Sequence, residues 1–188
     1  TYDINNDSWN SYSTTINGIT CVECSNSVVV VGGWTSSPNS TYMSYSQLNN
    51  ISFSSIPESY TYFNNTSNYN GILALKYSYK LNIWVAIGAK KVAWSNDGIS
   101  WTLGTITNVA NTVNLNLVST NTTTGIDCND TTGTFIVSTN HVIGILISTD
   151  GKNWTQYTPM TTFNTTIYYS KSLNVWIMTG SKDYMYYS

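Results

Sequence analysis

Apolar residues along this chain fall in short alternating segments, and no amphipathic helix is legible. Residues 70 to 105, NGILALKYSYKLNIWVAIGAKKVAWSNDGISWTLGT, set the pattern. ILALKY, IWVAIGA, KVAWS and ISWTLGT are apolar-alternating segments separated by polar turn residues. Alternation over four to eight residues predicts half-buried strands. Asp97-Gly98 between two such segments is a hairpin signal, because a type I′ turn needs positive φ at both central positions. Four strands joined by tight turns make one antiparallel meander.

The same order recurs, and recurrence at a fixed period marks repeat architectures. Residues 165 to 188 match the first three strands, with Tyr169 in line with Tyr77, Trp176 with Trp84, Gly180 with Gly88 and Ser188 with Ser95. Residues 125 to 158 match all four, with Phe135 in the place of Trp84 and Cys128 in that of Tyr77. Residues 18 to 56 form a more diverged copy, in which Cys21 is set against Tyr77 and Phe53 against Trp101. The last copy stops after its third strand. Residues 3 to 16, DINNDSWNSYSTTI, have the character of the missing fourth, with Trp9 in the role of Trp101 and Trp154. A pitch of about 47 residues and a split last copy suit a ring whose first and last segments pair, which removes the open edge. The expected fold is therefore all-β: a small β-propeller of four four-stranded antiparallel blades, closed by the N-terminal strand completing the last blade. Its units are residues 1–16 as closing strand, then 17–57, 70–107, 124–160 and 164–188 as blades.

WSNDGISWT at 94–102 and ISTDGKNWT at 147–155 share Ser-x-Asp-Gly-x-x-Trp-Thr. The motif resembles the Asp-box of bacterial-neuraminidase-type repeats, found across sialidase-like and related β-propellers. Two hairpins carry the tight match, Ser95, Asp97, Gly98 and Trp101, then Ser148, Asp150, Gly151 and Trp154. Asp and Gly are adjacent here, where the usual pattern separates them by one residue; the resemblance is to a variant of secreted, viral or phage repeat proteins and not to sialidases proper. It implies a structural device: Asp ties down the hairpin backbone, Gly permits the turn, and Trp packs between sheets. The residues give the same reading, since Asp bonds its own turn amides and Gly supplies positive φ.

Composition changes the picture in two ways. Only 9% of residues are charged, far below the usual quarter, and Ser, Thr, Asn and Tyr do the solvating. That suits a secreted surface. The chain starts at Thr1 without a charged-then-apolar leader, as a mature secreted product or a truncated piece would. Sequons begin at Asn6, Asn39, Asn50, Asn64, Asn65, Asn121, Asn129, Asn153 and Asn164, and occupied ones are expected on turns or exposed strand faces. All seven basic residues are lysines in no cluster, which speaks against phosphate-backbone binding. No apolar run approaches the ~20 residues of a membrane span.

Candidate chemistry is sparse. Of Cys21, Cys24 and Cys128, a Cys21–Cys24 bridge across a tight turn is preferred among the pairings, with one thiol left over. Zinc would need all three cysteines and His141, widely scattered. No cofactor is expected. DCNDTTG at 127–133 lacks the spacing and terminal acid of a calcium loop. The sialidase arginine triad is excluded, because the chain has no arginine. Glycoside hydrolysis needs two positioned carboxylates; Glu23 and Asp130 around the axis, beside Asp127, are the candidate pair against a background of solvated turn acids. Tyrosines such as Tyr77, Tyr79, Tyr157, Tyr168, Tyr169, Tyr184, Tyr186 and Tyr187 can stack on sugars or pack interfaces.

The leading expectation is a non-catalytic secreted or surface-displayed glycoprotein module with a structural or adhesive role. It could be the repeating subunit of a filament whose residues 3–16 pair with a neighbour's last sheet. The expected partners are further copies or other extracellular proteins and glycans. A carbohydrate-binding lectin is the alternative, and a hydrolase ranks third.

Overall fold

The computed structural model describes residues 2–3, 8–35, 41–64, 71–88, 91–107, 125–139, 144–157, 164–180 and 185–188. Within them the chain builds four antiparallel sheets in succession and one small N-terminal hairpin. The hairpin pairs β1 (Tyr2–Asp3) with β2 (Ser8–Trp9). Sheet 1 holds β3 (Gly18–Cys24), β4 (Val28–Trp34), β5 (Met43–Gln47) and β6 (Asn50–Ser55). A one-and-a-half-turn helix, α1 (Glu58–Phe63), follows. Sheet 2 holds β7 (Ile72–Ser78), β8 (Ile83–Gly88), β9 (Val92–Ser95) and β10 (Thr102–Leu103). The next strand, β11 (Thr105–Thr107), crosses to sheet 3. There it lies parallel to β15 (Asn153–Tyr157), beyond β12 (Ile126–Asn129), β13 (Thr134–Ser138) and β14 (Ile145–Ser148). Sheet 4 has three strands, β16 (Asn164–Ser170), β17 (Val175–Gly180) and β18 (Met185–Tyr187).

Register shows why the sheets stack. Tyr77 faces Trp84, which faces Ser95. Cys128 faces Phe135, which faces Ser148, and Tyr169 faces Trp176, whose amide and carbonyl both bond Ser188. In sheet 1 the same places belong to Cys24, Val29 and Ser46. Cys24, not Cys21, is therefore the counterpart of Tyr77; a shorter turn after β3 and a bulge between Ile19 and Cys21 displaced the alignment by three.

Period-two alternation gives each sheet two apolar rows. One row faces the preceding sheet: Leu75, Trp84 and Ala86 in sheet 2 join Val28, Val30 and Met43 of sheet 1 in one core. A step later, Phe135 and Val137 of sheet 3 join Ile83, Val85 and Val92 of sheet 2. At the third junction Ile167 and Met178 of sheet 4 join Ile136 and Ile145 of sheet 3. The innermost strands β3, β7, β12 and β16 touch in that order, and no contact of that extent joins β16 back to β3.

The arrangement is thus an open, sandwich-like stack and not a closed four-blade propeller. The expected closure fails because β2 pairs with β1, Trp9 opposite Tyr2, while β18 ends sheet 4 with no fourth strand among the described residues. The exposure of the end rows agrees: Val22 on sheet 1 is 62% exposed and Tyr187 on sheet 4 is 80% exposed. In this structure the β2 part of the segment expected to be donated, residues 3–16, pairs with β1 of its own chain. Helix α1 was not legible either. Its ESYTYF carries no helical stripe, and its buried Ser59 serves as a bracket, the hydroxyl accepting from the amides of Tyr42 and Met43 and donating to the Ile56 carbonyl.

Candidate functional site

Both Ser-x-Asp-Gly hairpins have one geometry. The Ser95 hydroxyl accepts from the Gly98 amide at 2.8 Å and donates to Asp97 Oδ1 at 2.8 Å. Asp97 Oδ1 also accepts the amides of Ile99 and Ser100, each at 2.8 Å. Ser148 and Asp150 repeat this with Gly151, Lys152 and Asn153, and the Asn153 side-chain amide donates to Asp150 Oδ2 at 2.7 Å. Gly98 and Gly151 sit at φ +77° and +71°, which only glycine adopts without strain. The indole of Trp101 donates to the Gly98 carbonyl and that of Trp154 to the Gly151 carbonyl, and both rings are buried. Each loop is thereby folded onto the junction with the preceding sheet, Gly98 lying over Trp84 and Val28, and Gly151 over Phe135, Ile83 and Val85.

Partial burial alone would raise the Asp150 pKa, but the Asn153 and Lys152 amides, the Asn153 side chain and the Ser148 hydroxyl outweigh it and hold the carboxyl at about 2. Asp97 is likewise lowered: partial burial opposes the shift and the amides of Ser100 and Ile99 prevail. A depressed folded pKa contributes stability that is complete above the ordinary carboxylate pKa and is lost as pH falls through the folded value. Asp150→Ala is therefore expected to cost about 2 kcal/mol at neutral pH. Urea melts should show that deficit shrinking between pH 4 and pH 2; a deficit independent of pH would assign the loss to packing.

A second constellation lies on the innermost strands. Register aligns Glu23, Lys76, Asp127 and Tyr168. Lys76 Nζ lies 2.8 Å from Asp127 Oδ1 and 3.8 Å from Glu23 Oε2. Asp127 Oδ1 also accepts the Cys128 amide at 2.9 Å, and its Oδ2 accepts the Tyr169 amide at 2.7 Å. One chain of polar contacts therefore runs from sheet 1 to sheet 4. Burial works against the Lys76 charge, but the Asp127 hydrogen bond, then the charges of Asp127, Glu23 and Asp130, raise its pKa above the ordinary value. Held protonated, this amine is no nucleophile or base.

Both carboxylates of the expected Glu23/Asp130 pair lie close enough to Lys76 to favour its charge, but each is engaged by partners of its own. Asp130 Oδ1 accepts from the Ser78 hydroxyl at 3.1 Å and the Tyr79 amide at 2.9 Å, which joins sheet 3 to the β7–β8 turn. Glu23 turns toward Lys76. The missed member was Lys76, whose signal was its place in register between two acids.

The three cysteines are free. The expected Cys21–Cys24 bridge is corrected by their position: both lie on the single strand β3 with no turn between them, and three extended steps of ~3.3 Å exceed the Cα separation a disulfide spans. Burial pushes the Cys21 thiol up to about 11 and that of Cys128 up to about 12, so both stay protonated at neutral pH. No cluster of three or more metal-ligating side chains occurs among the described residues; His141 lies outside them.

Of the sequon asparagines, Asn50, Asn64 and Asn153 are exposed, and Asn164 begins β16. Asn129 is corrected as an acceptor: it is 7% exposed and its Oδ1 takes the Thr131 amide at 2.9 Å in a tight turn. Asn6, Asn39, Asn65 and Asn121 lie outside the described residues, as does Tyr184. Among the described residues, no helix is long and apolar enough to cross a membrane.

No family model matches the chain, and no curated protein does, so the Asp-box resemblance rests on the two hairpins. Solved structures do match. An ancestral GH74 enzyme superposes with TM-score 0.62 at 18% identity, over 90% of this chain and 23% of that one. The nidogen/laminin complex contains a chain matching at TM-score 0.52 and 10% identity, over 87% of this chain and 57% of that one. Raptor of Chaetomium thermophilum matches at TM-score 0.51 and 10% identity, over 86% of this chain and 14% of that one. The chain spans under a quarter of the GH74 enzyme's length. At these identities the likeness is one of fold alone: this chain is similar to a section of larger proteins in its propeller-type succession of antiparallel sheets.

Proposed function

We propose that the chain is a non-catalytic structural or adhesive module of a secreted or surface-displayed glycoprotein. One observation carries this reading. The carboxylates best placed for chemistry hold the fold together: Asp127 accepts three donors from three sheets, Asp130 clamps a neighbouring turn, and Asp97 and Asp150 organise their own hairpins. General acid–base work needs a carboxyl free to exchange its proton with a substrate. The low charge and the exposed sequons at Asn50, Asn64 and Asn153 support an extracellular setting.

The test is a screen of polysaccharides and aryl glycosides with the wild type and with folded Glu23→Gln and Asp130→Asn variants. No turnover, or a trace activity equal in all three, is expected. Turnover lost in either variant would overturn the reading. Carbohydrate binding is a second reading, favoured by the exposed rings of Trp34, Tyr79, Tyr157, Tyr168 and Tyr187. A blank glycan array would dispose of it.

A further inference from the structure

The two ends of the stack are complementary halves of an interface that the chain already makes three times. On sheet 1, Val22, Val29 and Val31 are in register with Leu75, Trp84 and Ala86 of sheet 2. Phe53 likewise holds the register place of Trp101, and Trp154 holds it in sheet 3. In sheets 2 and 3 this row is buried against the preceding sheet. In sheet 1 it lines a groove of about 290 Å³ together with Asn10, Tyr12 and Thr14, with Val31 buried at its floor and Val22 open. Val22 is 62% exposed where its counterpart Leu75 is 6% exposed.

The opposite row is open on sheet 4. Ile177, Met185 and Tyr187 are in register with Val85, Val92 and Trp94 of sheet 2 and with Ile136, Ile145 and Ile147 of sheet 3. Those counterparts pack beneath the following sheet. On sheet 4 Met185 is 68% and Tyr187 80% exposed. Apolar rows of this extent on both ends of one soluble stack mark interaction surfaces.

We infer that the occupant of each end face is a second copy of this chain, sheet 1 of one copy seating on sheet 4 of the next. The inference rests on the structural-module reading and names its partner. A second copy is favoured because the two faces are fitted to each other by the same register that builds the three internal cores. The step that carries sheet 3 onto sheet 4 carries sheet 4 onto the sheet 1 of the following molecule. The contact is heterologous, so association continues past a dimer, into a ring or a fibre. No strand is exchanged, and the N-terminal hairpin stays with its own chain.

The test is sedimentation velocity of the full chain from nanomolar to high micromolar concentration. The wild type should pass twice the chain mass. Val22→Asp blocks the first face and Tyr187→Asp the last; both positions are exposed, so circular dichroism should be unchanged. Each variant alone should stay monomeric, and a one-to-one mixture should form a dimer that grows no further, since one intact face of each kind remains. Met185→Lys gives a second block of the last face. A wild type monomeric throughout, or a mixture that fails to pair, overturns the inference. Either result leaves the non-catalytic reading standing, because that reading falls only to turnover in the substrate screen.

Discussion

Trp84→Ala is expected to lower the unfolding free energy by about 4 kcal/mol, the upper range for truncating a buried aromatic. Trp84 is 1% exposed and belongs to the core between sheets 1 and 2. Its ring lies 4.9 Å from that of Tyr77, and the Asp97-Gly98 turn closes over it. Truncation removes the contact surface for both neighbours at once, and strands held by backbone bonds on two sides cannot collapse into the space. Trp34, half exposed at the end of β4, should cost no more than about 1 kcal/mol when replaced by alanine. Urea unfolding of the two variants checks the contrast. Equal losses would mean that the junction between sheets 1 and 2 is not where the stability lies.

Lys76→Met carries the second large effect, a loss of about 2 to 3 kcal/mol. Removing one partner of a buried ion pair leaves the other uncompensated. Here the partner left behind is Asp127, whose side chain is 10% exposed. The Lys76 side chain is 28% exposed, so solvent reaches part of the site and the loss falls below that of a fully buried pair. Asp127 would keep the Cys128 and Tyr169 amides, which also limits the damage. Combining Lys76→Met with Asp127→Asn should recover part of the loss, because the buried charge is gone. A double-mutant cycle with no coupling would show that the chain of contacts across the sheets contributes nothing as a unit.

The sheets themselves were legible because alternation and turn residues are local signals. Tyr77-Trp84-Ser95, Cys128-Phe135-Ser148 and Tyr169-Trp176-Ser188 pair as the aligned copies predict. So do the turns: Tyr77 and Tyr169 each donate to an Asn five residues on, Asn82 and Asn174, both at positive φ, while Cys128 has Gly133 at that spacing. Closure was not legible, because it depends on where a short segment finds a partner. Trp9 has the composition of a fourth strand, yet composition cannot choose between Tyr2 nearby in sequence and the last sheet far from it. The crossing of β11 to sheet 3 is a similar case, a parallel pairing after Gly104 that no hairpin signal announces.

The candidate site divides along the same line. The Asp97 and Asp150 hairpins are contiguous in sequence and could be read there. The Glu23–Lys76–Asp127 contacts join positions about 50 residues apart, so they emerge only when the register of three inner strands is known. Cys21 was misassigned for a related reason: one bulge and one shortened turn shift a diverged copy while leaving its alternation intact.

Residue-resolved amide hydrogen exchange on dilute protein tests the open stack most directly. Trp176 and Ser188 exchange both backbone bonds, so alternation along β18 points the Met185 and Tyr187 amides away from β17. With no strand beyond β18 among the described residues, those two amides should exchange at nearly the unprotected rate while Tyr186 and Ser188 are retained. Slow exchange at Met185 and Tyr187, matched by protection along residues 8–16, would place the N-terminal segment on sheet 4 and contradict the open arrangement.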